Sequence, residues 1–200
     1  WGYKVEILRA DKDYLDLFYH IIECPKKHKE HVGMYAGFPA SGACSVKRDC
    51  KLKPINDYYM ALTEPFIQYV GICIDEPKRL KSLHNSNQIK GSNVSLLEKY
   101  GYTEEMARNK CLEYGLLSPC YDLSRRGGCW FCPNAKLEEH KELRRTNPDL
   151  WDRFVALENE ENLAKEKWNV FGESLQKREE RLAWECSQPS VSQINLFELI

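Results

Sequence analysis

The chain has 200 residues, which suits one domain with some decoration. Its 29 Lys and Arg residues balance 30 Asp and Glu residues, so the net charge of -1 argues against non-specific binding to polyanions. A mean hydropathy of -0.59 and the absence of an apolar run of about 18 residues predict a soluble protein with no membrane segment. Nine cysteines without a secretion signal favour metal-binding or reactive thiols in a reducing cytoplasm. The chain begins with Trp1 rather than Met, so we expect further residues upstream.

The first part of the chain mixes strand and helix signals. Residues 3–8 alternate in a way typical of a short strand, and Asp11 is a candidate cap for a helix that reaches about residue 22. Residues 47–62 have a helical pattern, which Pro54 either kinks or delays. These segments predict alternating strands and helices.

The middle of the chain contains the clearest strand signal. Residues 66–74 are nearly all apolar and rich in β-branched side chains, as expected of a buried parallel strand. A helix is predicted to begin after Thr103, with acidic Glu104 and Glu105 in its first turn, and to stop near Gly115.

The last third of the chain is predicted to be helical. One helix covers residues 134–145, Asn147 and Pro148 supply the cap and first residue of the next, and residues 162–184 form a long charged helix. Strands early and helices late indicate an α/β fold, a parallel sheet with flanking helices and a helical C-terminal extension. We predict three parts: an α/β domain in residues 1–133, a helical cap in 134–186 and a flexible tail in 187–200.

A cysteine motif carries the strongest functional signal. Cys129 and Cys132 form a Cys-x-x-Cys pair preceded by two glycines, a spacing that lets both thiolates bind one metal. Cys120 lies nine residues upstream of Cys129, and Cys44 and Cys50 form a second group. Together these residues can supply four thiolates, a set that suits both zinc and iron–sulfur clusters.

Four segments in order resemble phosphoadenosine phosphosulfate (PAPS) reductase-like proteins of phages and bacteria. The first two are Cys44-Ser-Val-Lys-Arg-Asp-Cys-Lys-Leu-Lys-Pro-Ile55 and Tyr69-Val-Gly-Ile-Cys-Ile-Asp-Glu-Pro-Lys-Arg79. The others are Arg126-Gly-Gly-Cys-Trp-Phe-Cys-Pro133 and Leu143-Arg-Arg-Thr-Asn-Pro-Asp-Leu-Trp151. The resemblance covers roughly residues 1 to 180.

The resemblance implies an adenine-nucleotide α-hydrolase-like sheet with an adenine nucleotide or PAPS bound at the carboxyl ends of its strands. The residues that match the family's binding segments are Lys51, Lys53, Asp75, Glu76 and Arg79. Asp75, Glu76 and Arg79 would equally suit an ordinary helix-capping turn. The family's Ser-Gly-Gly-Lys-Asp-Ser phosphate loop does not occur in this sequence. We expect it upstream of Trp1, on a partner chain, or lost.

The resemblance also implies a cofactor. Family members with paired cysteines in both groups bind a 4Fe–4S cluster, for which Cys44, Cys120, Cys129 and Cys132 are the predicted ligands, with Cys50 as a substitute. The spacing of Cys120, Cys129 and Cys132 is similar to that of the iron–sulfur sulfurtransferase of DNA phosphorothioation systems. Zinc remains the alternative metal.

Two classes of function follow. The first is a PAPS reductase-like sulfurtransferase or nucleotide-activating, sulfur-handling enzyme, with nucleic acid as a candidate substrate. The second is a non-catalytic module that a metal stabilises and that acts as a binding partner or accessory subunit. A thiol oxidoreductase is disfavoured because no thioredoxin-like context surrounds Cys129 and Cys132. We assign no role to the five histidines.

The C-terminal tail carries a short motif. Gln193-Ile-Asn-Leu-Phe197 resembles the pentapeptide with which many bacterial proteins bind the DNA polymerase sliding clamp. Leu196 and Phe197 would fill an apolar cleft while Gln193 makes polar contacts. A tail that folds back on its own domain is the alternative.

Overall fold

A computed structural model describes residues 2, 4–40, 43–86, 91–123 and 127–188. The chain forms two compact units. The strand unit contains Trp1–Arg9 and Leu52–Asp122, and the core unit contains Ala10–Lys51 and Leu123–Ile200. The core unit therefore joins residues from both sides of the predicted boundary at residue 133. No helix in the described ranges is long and apolar enough to cross a bilayer.

The strand unit is a mixed α/β structure built on a small parallel sheet. Strand β1 (Phe66–Tyr69) pairs with β2 (Gly91–Val94), with Phe66 opposite Gly91. Helix α3 (Pro77–His84) lies between them in the sequence. A parallel pair and its intervening helix confirm the predicted α/β class.

The predicted strand over residues 66–74 is too long. The Val70 N–H still donates to the Val94 carbonyl, but the Ile74 N–H donates to Tyr102 instead of a strand partner. The backbone therefore leaves the sheet after Val70, although Ile72 is buried. One face of β1 is also open, because Ile67 is 56% exposed and Tyr69 61% exposed.

Residues 3–8 were expected to form a strand, and this prediction is wrong for the described residues 4–8, which have no regular structure. Val5 and Ile7 are 80% and 73% exposed. An alternating pattern alone does not make a strand when no neighbouring strand supplies hydrogen bonds and covers one face.

The remaining helices of the strand unit have ordinary start signals. Thr103 caps α5 (Glu104–Glu113) by accepting from the Met106 N–H, and this helix ends just before Gly115, as predicted. Gly115 takes the left-handed conformation that ends helices. The other helices are α2 (Lys53–Ala61), α4 (Leu96–Lys99) and α6 (Cys120–Leu123), and the last residue of α6 already belongs to the core unit.

The predicted helix over residues 47–62 exists but changes type at Pro54. Lys47–Leu52 is a π-helix, and α2 follows with Pro54 in its first turn. Proline has no N–H to donate to the Cys50 carbonyl four residues earlier, so the regular α-helical pattern cannot pass through this point. The wider turn places Cys50 in a segment of a type often found at functional sites.

In the core unit, helix α1 (Tyr14–Phe18) is capped by Asp13, whose carboxylate accepts from the Leu15 and Asp16 N–H groups. The predicted cap at Asp11 is therefore two residues early. The C-terminal helices are α7 (Leu137–Thr146), α8 (Pro148–Ala156), a 3-10 turn (Leu157–Asn159) and α9 (Leu175–Ser187).

The predicted helix over residues 162–184 is wrong in its first half, because α9 begins only at Leu175. The Asn169 side chain accepts from the Phe171 and Glu173 N–H groups, which fixes a turn instead of a helix. Trp168 is buried and donates from its indole to the Glu173 carbonyl. Tertiary packing of this loop overrides the helical charge pattern.

One aromatic-rich hydrophobic core fills the core unit. Its largest fully buried members besides His140 come from helices and loops that are far apart in sequence: Phe18, Phe38, Trp151, Phe154, Trp168, Leu175 and Leu182. Tyr35 pairs with Ile21 on one side and with Leu163 on the other, and the Phe38 N–H donates to Lys165. These pairings bring the 160–174 loop against residues 35–38.

Gly37 tests this close approach. Its φ is +73°, and a Cβ atom there would lie 2.2 Å from the Lys165 carbonyl oxygen. We expect Gly37→Ala to lower the free energy of unfolding by more than about 3 kcal/mol, since conformational strain and a backbone clash add. Gly33 is the matched control, because its φ is +82° and nothing lies within 4 Å of a Cβ there. Gly33→Ala should cost only about 1–2 kcal/mol in urea unfolding; equal losses would contradict the clash.

Candidate metal centre

The Cys129–Cys132 segment is a compact knuckle. The Cys132 N–H donates to the Cys129 carbonyl at 3.0 Å, and the Ala135 N–H donates to the Cys132 carbonyl at 3.0 Å. The two intervening aromatic side chains anchor it to α1, since Tyr14 lies 5.3 Å from the Trp130 ring and 4.0 Å from the Phe131 ring. Aromatic packing therefore holds the two cysteines at the border of the core.

The second cysteine group borders the same core. Cys44, Cys50 and Cys129 all pack against the hydrophobic cluster of the core unit. The Cys44 sulfur also accepts a hydrogen bond from the Lys47 N–H at 3.3 Å. Backbone N–H donors to sulfur stabilise the negative charge of cysteine ligands in iron–sulfur proteins. The two cysteine groups, about eighty residues apart in sequence, therefore border one core, and Lys51 of the first group lies 3.2 Å from the Cys129 sulfur of the second.

The spacing of the sulfurs bears on which metal group they suit. Among the described residues, no three cysteine sulfurs lie within 4.8 Å of one another. A tetrahedral zinc site needs closer sulfurs, roughly 3.8 Å apart for a Zn–S bond of about 2.3 Å. In a 4Fe–4S cluster each thiolate binds a different iron, which requires wider spacing. None of the nine cysteines, all within the described ranges, is in a disulfide.

Tyr14 provides a polar group at this border. The residue is 5% exposed, and its hydroxyl has no hydrogen-bond partner among the described residues. Burial raises the pKa of the Tyr14 hydroxyl, and the charge of a nearby Cys44 thiolate raises it further. A buried donor without an acceptor is costly, so a sulfur-rich anionic group beside Cys44 would satisfy it.

Charges at the cysteine border are mixed. The Lys51 ammonium lies 3.2 Å from the Cys129 sulfur, where it attracts a thiolate. Burial raises the pKa of the Cys50 thiol, and the carboxylates of Asp49, Asp13 and Asp16 raise it further. Because metal ligation deprotonates a thiol, binding at Cys50 would have to overcome this preference.

The structure separates the predicted ligands between the two units. Cys44, Cys129 and Cys132 belong to the core unit, together with the substitute Cys50. Cys120 is the first residue of α6 in the strand unit. The core unit therefore contains four of the five candidate thiols by itself.

The predicted nucleotide-binding residues have local partners. The Asp75 carboxylate accepts from the Glu104 N–H at the start of α5, and the Arg79 guanidinium pairs with Glu76. Lys53 forms an ion pair with Asp57 at 2.5 Å. These contacts fit the helix-capping alternative for Asp75, Glu76 and Arg79. Lys51, the fifth residue of the predicted set, belongs to the core unit.

A cavity of about 360 Å³ lies where β2 ends. It is lined by Asn93, Val94, Ser95, His84, Glu98 and Lys99. This is the carboxyl end of a parallel strand, where α/β folds place ligands. Its lining includes none of the five residues predicted to bind a nucleotide.

His140 lies deep in the core beside the knuckle. It is 1% exposed and surrounded by Trp151, Phe154 and Trp168. Its Nδ1 lies 3.0 Å from the Arg178 guanidinium, which also donates to the carbonyl of Ala135, three residues after Cys132. Arginine is only a donor, so Nδ1 accepts and the ring proton is on Nε2.

One cluster was not predicted: the imidazoles of His28 and His31 and the Glu30 carboxylate have ligand atoms within 4.8 Å of one another. The His-x-x-His spacing of His28 and His31 is the sequence signal that would have found it. The predicted clamp motif, Gln193 to Phe197, lies outside the described residues.

Comparisons with protein-family models, with curated proteins and with solved structures found no match for this chain.

His140 should make stability depend on pH. Burial, followed by the charge of Arg178, lowers its pKa from 6.5 to about 4. Between these two pKa values the unfolded chain binds a proton at His140 and the folded chain does not. The contribution of neutral His140 to the free energy of unfolding is therefore complete above pH 6.5 and is lost as the pH falls towards 4. Between pH 7.5 and 5 we expect a loss of about 2 kcal/mol attributable to this residue.

The measurement is urea unfolding at pH 7.5 and 5.0. His140→Phe should remove most of the pH-dependent loss, whereas His84→Ala, at an exposed histidine paired with Glu98, should retain it. A loss of equal size in wild type and His140→Phe would show that other groups cause it.

Proposed function

We propose that this chain is a PAPS reductase-like, sulfur-handling protein whose core unit holds a cysteine-ligated 4Fe–4S cluster. The observation that carries the proposal is the meeting of Cys44, Cys50 and Cys129 at one hydrophobic core, next to the buried hydroxyl of Tyr14. Thiolates of this kind at the edge of an apolar core are the usual ligands of iron–sulfur clusters.

The resemblance to iron–sulfur members of the family favours the cluster over zinc. No three described cysteine sulfurs lie within 4.8 Å of one another, which is compatible with the wider thiolate spacing of a cluster. The unpaired Tyr14 hydroxyl adds a donor suited to sulfide or thiolate. Lys51, 3.2 Å from Cys129, would offset part of the negative charge of a four-thiolate cluster.

The choice of the fourth ligand follows from packing. Cys50 packs against the same hydrophobic core as Cys44 and Cys129, so we assign the fourth position to Cys50 in preference to Cys120. The raised pKa of Cys50 implies that cluster assembly there releases a proton and becomes more favourable as the pH rises.

The chemistry proposed for the enzyme is transfer of sulfur from or to an activated sulfur compound. A bound cluster would supply a group that accepts or donates one electron at the knuckle. The chain's own part is to hold thiolates and place Lys51 beside Cys129. Lys51, Lys53 and Arg79 remain the proposed contacts for an adenine nucleotide or PAPS, within an adenine-nucleotide α-hydrolase-like fold. Lys51→Ala would then weaken adenylate binding in calorimetry.

Two parts of the proposal concern partners. If Gln193, Leu196 and Phe197 bind a bacterial sliding clamp, the enzyme would act near replicating DNA, which suits nucleic acid as the sulfur acceptor. The alternative function is a zinc-stapled accessory module without catalysis, which the four thiols would also permit. Iron with acid-labile sulfide supports the enzyme, and zinc without iron supports the module.

The first test is the cofactor content of anaerobically purified protein. Wild type should contain about four iron and four sulfide per chain and absorb in the visible range near 400 nm, as 4Fe–4S proteins do. Cys129→Ser should lose the cluster and unfold at lower temperature, because ligand binding contributes to folding. Wild type with neither iron nor zinc would sink the proposal.

A matched pair of variants identifies the fourth ligand. Cys50→Ser should lower iron content and visible absorption as strongly as Cys44→Ser, whereas Cys120→Ser should leave both near the wild-type level. The reverse result would assign the position to Cys120 and contradict the assignment to Cys50.

Tyr14→Phe tests the fit of the buried hydroxyl. Without the cluster, removal of an unpaired buried hydroxyl should leave stability unchanged or raise it by about 1 kcal/mol. With the cluster bound, the same change should destabilise the protein and shift the reduction potential, because a hydrogen bond to sulfur is lost. Thermal unfolding and potentiometry of both forms are the measurements, and the same response in both forms would show that Tyr14 does not contact the cluster.

A further inference from the structure

The turn that contains His28, Glu30 and His31, which we call the histidine turn, gathers three metal-binding side chains in the core unit. Their ligand atoms lie within 4.8 Å of one another. His28 Nδ1 is 3.0 Å from the Glu30 carboxylate, and the two imidazole rings are stacked with centroids 5.2 Å apart and planes 15° apart. Two imidazoles and a carboxylate are a common ligand set of zinc enzymes.

The backbone of the histidine turn is held in an unusual conformation. His28 has φ 57° and ψ 58°, a left-handed conformation that is uncommon for a residue other than glycine. A 3-10 turn then covers Lys29–His31, with the His31 N–H bonded to the His28 carbonyl. Strained residues of this kind persist where the surrounding structure fixes them, and they cluster at functional sites.

Hydrogen bonds fix the ends of the loop that carries the turn. The Ile22 N–H donates to the Met34 carbonyl, and the Gly33 N–H donates to the Ile22 carbonyl, both at 2.9 Å. The Asn162 amide donates to the Gly33 carbonyl. The loop is therefore closed at its base, and His28 and His31 stay close together. Metal binding would then cost the chain less conformational entropy.

Both imidazoles also line a cavity of about 500 Å³. The lining includes a third histidine, His20, and the basic side chains of Lys12, Arg48 and Lys165. A metal with an incomplete ligand set could bind water or a small anion at this cavity. The basic side chains would attract the anion but repel the metal, and Asp49 is a carboxylate in the same lining.

We infer that His28, Glu30 and His31 form a second metal site, specific for a zinc-like divalent transition ion, with an open coordination position at this cavity. Three protein ligands and one open position are the arrangement of catalytic zinc sites. The donors are nitrogen and oxygen rather than sulfur, so the site differs in chemistry from the cysteine centre and does not depend on it. Tetrahedral zinc requires nitrogen atoms roughly 3.3 Å apart, so the ligand atoms must approach from within 4.8 Å, a movement that the exposure of His28 and Glu30 allows.

Titration of the full-length protein with Co²⁺ tests the site. Cobalt bound by nitrogen and oxygen gives weak visible bands, whereas thiolate ligation adds intense near-ultraviolet charge-transfer bands, so the two centres are read separately. We expect one Co²⁺ per chain with weak visible bands only, in addition to any Co²⁺ that gives thiolate bands, and stoichiometric Zn²⁺ should displace it.

The variants are chosen to preserve the turn. His28→Asn keeps a residue that tolerates the left-handed conformation, and His31→Ala removes the second imidazole. Each should weaken the nitrogen–oxygen Co²⁺ site at least tenfold while the thiolate bands stay unchanged. His84→Ala is the matched control, since His84 is also exposed and paired with a glutamate.

Equal Co²⁺ affinity in wild type, His28→Asn and His31→Ala would overturn the inference, as would a spectrum with thiolate bands alone. Loss of the thiolate bands in the cysteine variants, with the nitrogen–oxygen signal retained, would support it independently of the proposed function. Circular dichroism of each variant confirms that the fold is intact.

Discussion

The packing of the cysteine knuckle onto helix α1 is the interaction on which the candidate centre depends. Phe131 stacks on Tyr14 with ring centroids 4.0 Å apart, and Trp130 contacts both Tyr14 and Phe154. These contacts tie a loop to two helices, because the intervening residues of the Cys-x-x-Cys pair are themselves core residues. An ordinary metal knuckle has no need of two aromatic side chains there, so Trp130 and Phe131 serve folding between the two cysteines that we propose as ligands.

The aromatic core extends this constraint to the C-terminal half of the unit. His140 is packed among Trp151, Phe154 and Trp168, and Arg178 joins it to the carbonyl of Ala135 next to the knuckle. The Arg178 guanidinium also lies 4.7 Å from the Trp168 ring. Arginine satisfies the acceptor nitrogen of this neutral imidazole, whereas its buried Nε2–H has no hydrogen-bond partner among the described residues. Protonation of His140 would place two cations side by side, which links the stability of the knuckle region to pH.

Sequence reasoning predicted what depends on local signals and missed what depends on packing. The start of α5 at Glu104 followed from Thr103, and the disruption near Pro54 followed from its missing N–H. The helix expected over residues 162–184 failed because Trp168 and Asn169 fold that loop onto residues 35–38, a non-local contact that charge periodicity does not reveal. At the site, spacing identified Cys129 and Cys132, and only the fold showed that Cys44 and Cys50 border the same core. The sequence indicated that Asp75, Glu76 and Arg79 lie in a turn. It did not reveal that Asp75 accepts from the Glu104 N–H or that Arg79 pairs with Glu76.

The two candidate centres differ in a way that lets one chain hold both. The cysteine sulfurs border an apolar core, where low polarity and N–H donors favour soft, thiolate-bound metal. The histidine turn is at the surface beside basic side chains, where nitrogen and oxygen ligands favour harder divalent ions. Selection by ligand type would keep each metal in its own place, because the imidazole pair offers an iron–sulfur cluster no thiolate and the half-buried thiols offer a zinc-like ion no nitrogen or oxygen ligand. The polar histidine turn and the apolar cysteine border are therefore suited to different kinds of metal ligand.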